Sequence, residues 1–517
     1  MKNLSKQVYV MSLFFLLAAS FTWAQDWGEE IRLAYGDGIS EYPDICKDSS
    51  GALHVVWSDS RNGGNDIYFK RSTDEGTTWS ADLRGTTSGK AVNPLIRGDS
   101  NGTLYVMWVE TAPYTIPTIQ YSRSIDGGST WDAPKIVAKE VESSNYVFCV
   151  DSCGTIHLAW KAENSNYDEP VILYKRSEDG GSTWSNRVPL SLTRDRVTSI
   201  CVEPGADGSV YVFYEYRVTS SSQDTQVYVK RSSDRGITWT EAEKQISHSL
   251  SYDPQSSIVG GAVVVVWLQG SGSNSDMWAK RSTDHGQTWK GPYTVTKGKL
   301  RDPHICVDSQ NNLHVVWYRI TGTYPALSYD IYYDRSTNGG MNWGTDFQLS
   351  DGDGVSAYPI ICTDSSDVLH VVWQDDRTGK YEVWYKNSIG GTATVDIKCN
   401  GQDSGVNLTT ADKCTLTVEC QANDMLGTRC DFFIIIQNLS TGAVFTYGPY
   451  TSPEWVESPS NQYYTGGLQD LPLTTVLDYR LDSGSYKAYV AIDNRANGVI
   501  NVPTILYLDE VDFTVTE

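Results

Sequence analysis

Long apolar runs are missing from this chain of 517 residues once its first two dozen are passed. No later stretch approaches the roughly 20 consecutive apolar residues that a spanning helix needs, so insertion into a membrane by helices is excluded. Helix-forming stretches of Ala, Glu, Lys and Leu are scarce, which argues against an α-rich fold. Positive charge is short too: 41 Lys and Arg stand against 63 Asp and Glu, for a formal charge of −22. A chain of that sign repels nucleic acid and anionic lipid, which excludes polyanion binding. What is plentiful is aromatic and turn-forming, with 17 Trp, 32 Tyr and 44 Gly. That is the composition of a globular all-β protein.

The one apolar run, Val8 to Ala19, follows Lys2 and Lys6 and precedes Thr22-Trp23-Ala24, a small-residue cleavage site. Residues 1–24 read as a signal peptide, so the mature chain is expected to be secreted and to act outside the cell, in a periplasm or at a cell surface.

Residues 25–391 are repetitive. Six segments share one pattern: RSTDEGTTW (71–79), RSIDGGSTW (123–131), RSEDGGSTW (176–184), RSSDRGITW (231–239), RSTDHGQTW (281–289) and RSTNGGMNW (335–343). The period is about 53 residues, which points to a propeller or a solenoid. A strand of the LHVVW kind recurs seven times, at 53, 104, 156, 210, 263, 313 and 369. Each is preceded by a strand ending in a turn such as KDSSG and followed by one leading into the shared segment, and a fourth strand is expected to begin at the segment's Trp.

The seventh set has no such Trp after it. Its missing strand stands at the start of the chain: WGEEIRLAYGDGISEYPDIC (27–46) nearly repeats WGTDFQLSDGDGVSAYPIIC (343–362). Residues 27–35 are therefore predicted to pair with the strand near 383–388 and to close a ring of seven four-stranded blades, which protects its sheet edges.

The shared SxDxGxTW pattern resembles the Asp-box, or bacterial neuraminidase repeat, of the sialidase superfamily. The resemblance covers about residues 26–391. In the residues themselves, Asp74, Asp126, Asp179, Asp234, Asp284 and the variant Asn338 are read as turn-capping acceptors, with a following Gly at positive φ and a Trp packed between strands. The Arg before each segment, the His at 54, 157, 314 and 370, and the turn acids at 48, 99, 151, 308 and 364 recur at fixed repeat positions, so they too are read as scaffold. Cys46, Cys149, Cys201, Cys306 and Cys362 share one register and are read as free, packed thiols, with Cys149 to Cys153 as one conceivable bridge.

Function is sought where the repeat varies. Two residues after the strand-two Trp stand Asp59, Glu110, Ala162, Tyr216, Gln269, Arg319 and Asp375 in blade order. The face opposite the boxes thus offers Asp59, Arg61, Glu110, Arg217, His304, Arg319, Asp375 and Arg377 as ligand-binding candidates, with Tyr42 and Tyr358 beside them. Acids, guanidiniums and aromatic faces on a rim suit sugars. The competing reading of SDSRNGG and QDDRTGK is hairpin turns held by Asp–Arg pairs.

The superfamily resemblance implies a sialidase, with an Arg-Ile-Pro motif, an Arg clamp for a carboxylate, an Asp acid and a Tyr–Glu nucleophile. This chain has no Arg-Ile-Pro and counts seven blades where those sialidases have six. The expectation is a non-catalytic recognition propeller for a glycan or glycoconjugate; the alternatives are an exo-sialidase or other glycoside hydrolase, and an extracellular protein-interaction scaffold. No cofactor and no metal are expected. Residues 392–517 change to a different alternation, expected to form an accessory β-sandwich in which Cys399, Cys414, Cys420 and Cys430 make two disulfides. The stretch Asp493 to Asn501 lacks the acids of a calcium loop and reads as a polar turn.

Overall fold

The computed structural model describes residues 26–389 except for short stretches, chiefly 112–115, 163–170, 192–198 and 218–224, and beyond 389 only strands and their pairing. The leader and residues 494–500 lie outside the described residues, as do the side chains of the four tail cysteines and with them the expected disulfides.

Why the chain folds as a ring is visible in its second strands. Leu53–Asp59 and Leu369–Asp375 are buried at every position, and Trp57, Trp317 and Trp373 have no solvent exposure. A strand in the middle of a blade is covered on both faces by neighbouring blades, so its sequence runs apolar instead of alternating. The apolar clusters accordingly straddle neighbours. One joins Val55 and Trp57 of blade one to Val372, Val383 and Tyr385 of blade seven, and another joins Phe69 of blade one to Val106 and Trp108 of blade two.

Seven antiparallel propeller sheets result, six with their four strands in sequence order and the seventh completed from the beginning of the chain, and no helix occurs among the described residues. Blade one consists of Ser40–Lys47, Leu53–Asp59, Asp66–Ser72 and Leu83–Arg84. First strands of successive blades touch all the way round, the seventh (Ser356–Thr363) meeting the first, so they line a central channel. Blade seven borrows its outer strand as expected: Ile31 pairs with Tyr385 and Arg32 with Trp384, and Leu33 N–H donates to Val383 O at 2.8 Å. Leu33 and Ala34 are 1% exposed, sealed between blades seven and one. The propeller Gly28–Asn387 is one compact unit. In the tail, strands form one three-stranded and one seven-stranded sheet.

The boxes fold as their residues dictate. Asp74 Oδ1 accepts from Ser72 Oγ (2.8 Å) and Thr78 N (2.9 Å), Ser72 Oγ accepts from Gly76 N (2.9 Å), and Trp79 Nε1 donates to Gly76 O (3.0 Å). Bonds from Thr130 and Thr183 hold Asp126 and Asp179 down to about 2. Most fourth strands start later than expected, at Leu83 and Val188 instead of Trp79 and Trp184. Only Lys290–Thr296 begins directly after its Trp.

The recurring His proves structural in each case. His370 joins Asp364 Oδ2 (3.2 Å) to Tyr385 Oη (2.7 Å), and His157 and His314 repeat the arrangement with Tyr174 and Tyr333. Tyr385 extends beneath the box of the next blade, as Tyr121 and Tyr174 do. The six propeller cysteines are free, so the conceivable Cys149 to Cys153 bridge is absent: Cys149 packs against the apolar cluster between blades three and four, and Cys153 is exposed.

Candidate functional site

The acids two residues after the strand-two Trp have a local task. Trp57 Nε1 donates to Asp59 Oδ2 (3.0 Å), Trp108 Nε1 to Glu110 Oε2 (3.2 Å) and Trp373 Nε1 to Asp375 Oδ2 (3.4 Å). Asp59 and Asp375 are 1% and 0% exposed, and each receives a two-pronged guanidinium, Arg61 at 2.9 and 2.6 Å and Arg377 at 2.9 and 2.7 Å. Burial would raise both carboxyls, but the bonds from Arg, Ser and Trp outweigh it and hold them below the usual range. Second acids complete the Arg: Asp82 for Arg61, and Glu30 for Arg377. Arg319 bonds Asp346 and Thr296 Oγ1 and stacks 4.5 Å over Tyr332. These six candidate side chains, Asp59, Arg61, Glu110, Arg319, Asp375 and Arg377, are engaged with their own blade or a neighbouring one.

His304 lies in the first strand of blade six. Burial pushes it down to about 3, and it accepts from Ile361 N at 3.4 Å, so it is a neutral spacer between blades six and seven. Arg217 ends the second strand of blade four, its side chain outside the described set.

A different group converges at the channel mouth on the face away from the boxes. Five first strands carry an X-Pro step with X at positive φ: Tyr42 (54°), Asn93 (51°), Asp253 (51°), Asp302 (46°) and Tyr358 (54°). Each coincides with a shift in register against the second strand, a β-bulge that turns residue X out of the ladder. Non-glycine residues at positive φ cost about 1–3 kcal/mol each, and such strain gathers at functional sites. The bulge N–H groups are held by neighbours: Tyr42 N by Gln374 Oε1 (3.0 Å), Asn93 N by Ser58 Oγ (3.1 Å) and Asp253 N by Ser199 Oγ (3.2 Å).

At this mouth Tyr42 and Tyr358, 37% and 39% exposed, meet edge to face with ring centres 5.1 Å apart. Tyr318 and Tyr381 stand close enough to interact electrostatically with Tyr358 or Asp302. Asp253 and Asp302, from adjacent blades, share one field. Burial lifts Asp253 to about 6, against Arg301 and a bond from Ser199. Burial and then the charge of Asp253 lift Asp302 to about 7, with Arg301 opposing. Glu41 is raised by burial as well. Deeper in the channel Glu203 is pushed up to about 8 by burial, while Arg97 donates to Asp44 Oδ2 at 2.5 Å.

Two partly exposed carboxyls raised towards neutrality and bordered by tyrosine faces can accept or donate hydrogen bonds to a polyol and cover its apolar face. No group of three or more ligating side chains suited to a metal occurs among the described residues.

A comparison with known folds returns several propellers. The Hadza microbial sialidase Hz136 is 16% identical with a TM-score of 0.42 over 68% of this chain and 65% of its own, so this chain spans less than two thirds of that protein. An α-L-arabinofuranosidase of Fusarium graminearum is 13% identical with a TM-score of 0.46, over 70% of this chain and 97% of its own. A PL25 ulvan lyase is 12% identical with a TM-score of 0.49, over 69% and 95%. No curated protein sequence matches the chain. The family model for the BNR repeat-like domain matches residues 51–371, more than half of the chain. With its repeated boxes and seven-bladed ring, the chain belongs to the BNR repeat-like domain family.

Proposed function

We propose that this chain is an exported glycan-recognition protein that binds its ligand at the channel mouth framed by Tyr42, Tyr318, Tyr358, Asp253 and Asp302. The observation that carries the reading is the delivery of five side chains to one rim by five strained X-Pro bulges. A rim of tyrosine faces and carboxyls complements the alternating apolar and hydroxyl surfaces of a pyranose. The first 24 residues, read as a signal peptide, support this reading, since an exported chain would meet glycans. Screening of the chain from residue 25 on a glycan array tests this, with Tyr42→Ala and Tyr358→Ala beside it. Saccharide binding lost in both variants supports the reading; binding that ignores both variants, or no saccharide bound at all, overturns it.

A second reading, glycoside hydrolysis, is favoured by one observation: Asp253 and Asp302 titrate near neutrality, as an acid and its partner must. Turnover of fluorogenic glycosides that disappears in Asp302→Asn and Asp253→Asn would establish it.

A further inference from the structure

The joint between blades one and two is built differently from the other six. At those six the fourth strand sends a buried aliphatic side chain towards the next blade. The N–H groups of Leu33, Leu190, Ile246 and Leu349 each donate to a third-strand carbonyl at 2.7 to 2.9 Å, and their side chains are buried. Val137 and Val295 do the same service in blades two and five, each as far from its box Trp as Gly85 is from Trp79. In blade one the matching bond, Gly85 N to Ile67 O at 2.7 Å, is made by a residue with no side chain. Phe69 is a second difference. It stands where blades two, three, six and seven have Tyr121, Tyr174, Tyr333 and Tyr385, so this joint lacks their phenol hydroxyl.

Where the side chain is missing, a cavity of about 220 Å³ lies between the two sheets, partly open to solvent. Its walls are Val56, Ile67, Phe69, Val106, Trp108 and Trp131. All but Trp131 are buried, and Trp131 meets Phe69 edge to face with ring centres 5.5 Å apart. The polar groups at its rim are already engaged. Thr86 Oγ1 accepts from Ile67 N (2.9 Å) and donates to Asp66 Oδ1 (3.0 Å), Ser122 Oγ donates to Asp132 O (2.5 Å), and Asp132 Oδ2 accepts from Arg123 Nε (2.7 Å). An ion or a polyol entering the cavity would lose its hydration and gain little in return. The backbone does not demand a glycine here: Gly85 is not at positive φ, and a Cβ built on it meets only Ile67 O, at 3.4 Å, an ordinary contact. Unfilled apolar walls forfeit the dispersion contacts of a packed joint, so an apolar occupant is favoured. An apolar cavity of about 150 Å³ is enough to hold benzene. A planar ring suits the slot between two sheets, and three aromatic walls can meet it in offset or edge-to-face contact. A docking helix or strand would need a row of such slots, and the other six joints are filled.

We propose that this cavity is a binding site for a small uncharged aromatic molecule, which takes the place that an aliphatic side chain of the protein has at the other six joints. The site shares no residue with the channel mouth and stands apart from the glycan-binding reading.

Titration of phenol, indole, cyclohexanol and benzoate with the chain from residue 25, followed by ligand NMR, tests this. Phenol or indole should bind with a Kd at or below about 1 mM, and cyclohexanol and benzoate at least about tenfold more weakly. Gly85→Leu supplies the side chain that Leu33, Leu190 and Leu349 supply elsewhere. It should melt no lower than wild type and weaken the aromatic probe by at least about tenfold. Gly85→Ala fills less of the space and should weaken the probe by about threefold, which keeps the test decisive if the leucine impairs folding. Ile237→Ala, which removes an exposed apolar side chain from the box of blade four, should leave binding unchanged. Failure of both phenol and indole to bind overturns the proposal. Binding that neither Gly85 variant weakens overturns it as well, because the probe then sits elsewhere. Cyclohexanol or benzoate binding as tightly as the aromatic probes overturns the assignment of an uncharged aromatic ligand.

Discussion

The hydroxyl of Tyr385 lies directly beneath Gly76: a Cβ built on that glycine would come within 1.8 Å of the Tyr385 oxygen. Two blades meet at this point. Tyr385 ends the Asp364–His370 relay of blade seven, while Gly76, at φ 85°, is the turn of the first box. The box is thus part of the joint between blades as well as a cap on its own hairpin.

Gly76→Ala should cost more than a backbone penalty. Overpacking adds about 1–3 kcal/mol to the cost of positive φ in a residue with a Cβ. Gly63, also at positive φ (85°) but with nothing within 4 Å, provides the control, and Gly63→Ala should show the backbone term alone. Urea unfolding of both variants measures the difference.

Asp59→Ala and Asp375→Ala should each destabilise the propeller by about 3–5 kcal/mol, because removing one partner of a buried pair strands the other. Both carboxyls are held below their ordinary range in the fold, so their contribution is present above the unfolded pKa and is lost as pH falls through the folded one. The gap between wild type and either variant should therefore narrow in acid, as followed by thermal melts across pH.

Asp302→Asn should behave in the opposite way. Its folded pKa, about 7, lies above the ordinary 3.8, so stability is full below pH 4 and declines as pH rises towards 7 while only the unfolded chain has ionised. The substitution should be neutral at pH 4 and stabilising by about 1–2 kcal/mol at pH 8. Denaturant titrations at the two pH values decide it.

Alkylation of the native protein should mark one propeller thiol. Cys153 is exposed, whereas burial pushes the thiols of Cys46, Cys149 and Cys306 well up and Cys201 and Cys362 up to about 12. Mass spectrometry after iodoacetamide should find Cys153 modified and the other five intact until the ring is unfolded.

Much of this architecture was legible in the sequence because each blade states it again. The apolar second strands and the boxes fix seven units, and the copy at Trp27 discloses the closing strand. The mouth was only half legible. Tyr42 and Tyr358 were found as aromatic residues on the open face, but Asp253 and Asp302 were passed over, although YP, NP, DP, DP and YP recur at one place in five blades. Proline at the start of a strand reads as a mere beginning; that the residue before it bulges towards an axis is a property of the ring. Variation at Asp59, Arg61, Arg319 and Arg377 had marked them as rim candidates. Their partners, Asp82, Asp346 and Glu30, come from other loops, and no spacing along the chain reveals such pairings.

The borrowed strand also sets a timetable. Arg32 must find Trp384, more than 350 residues further on, before blade seven has its outer edge. Six blades can assemble as the chain emerges, but until its last inner strands arrive the beginning of the propeller has nowhere to dock. Its Leu33 and Ala34 stay uncovered for that whole interval. Such a long-range contact is slow to form and leaves an open edge meanwhile, so the joint between first and last is where maturation finishes and where a holding chaperone would do most good.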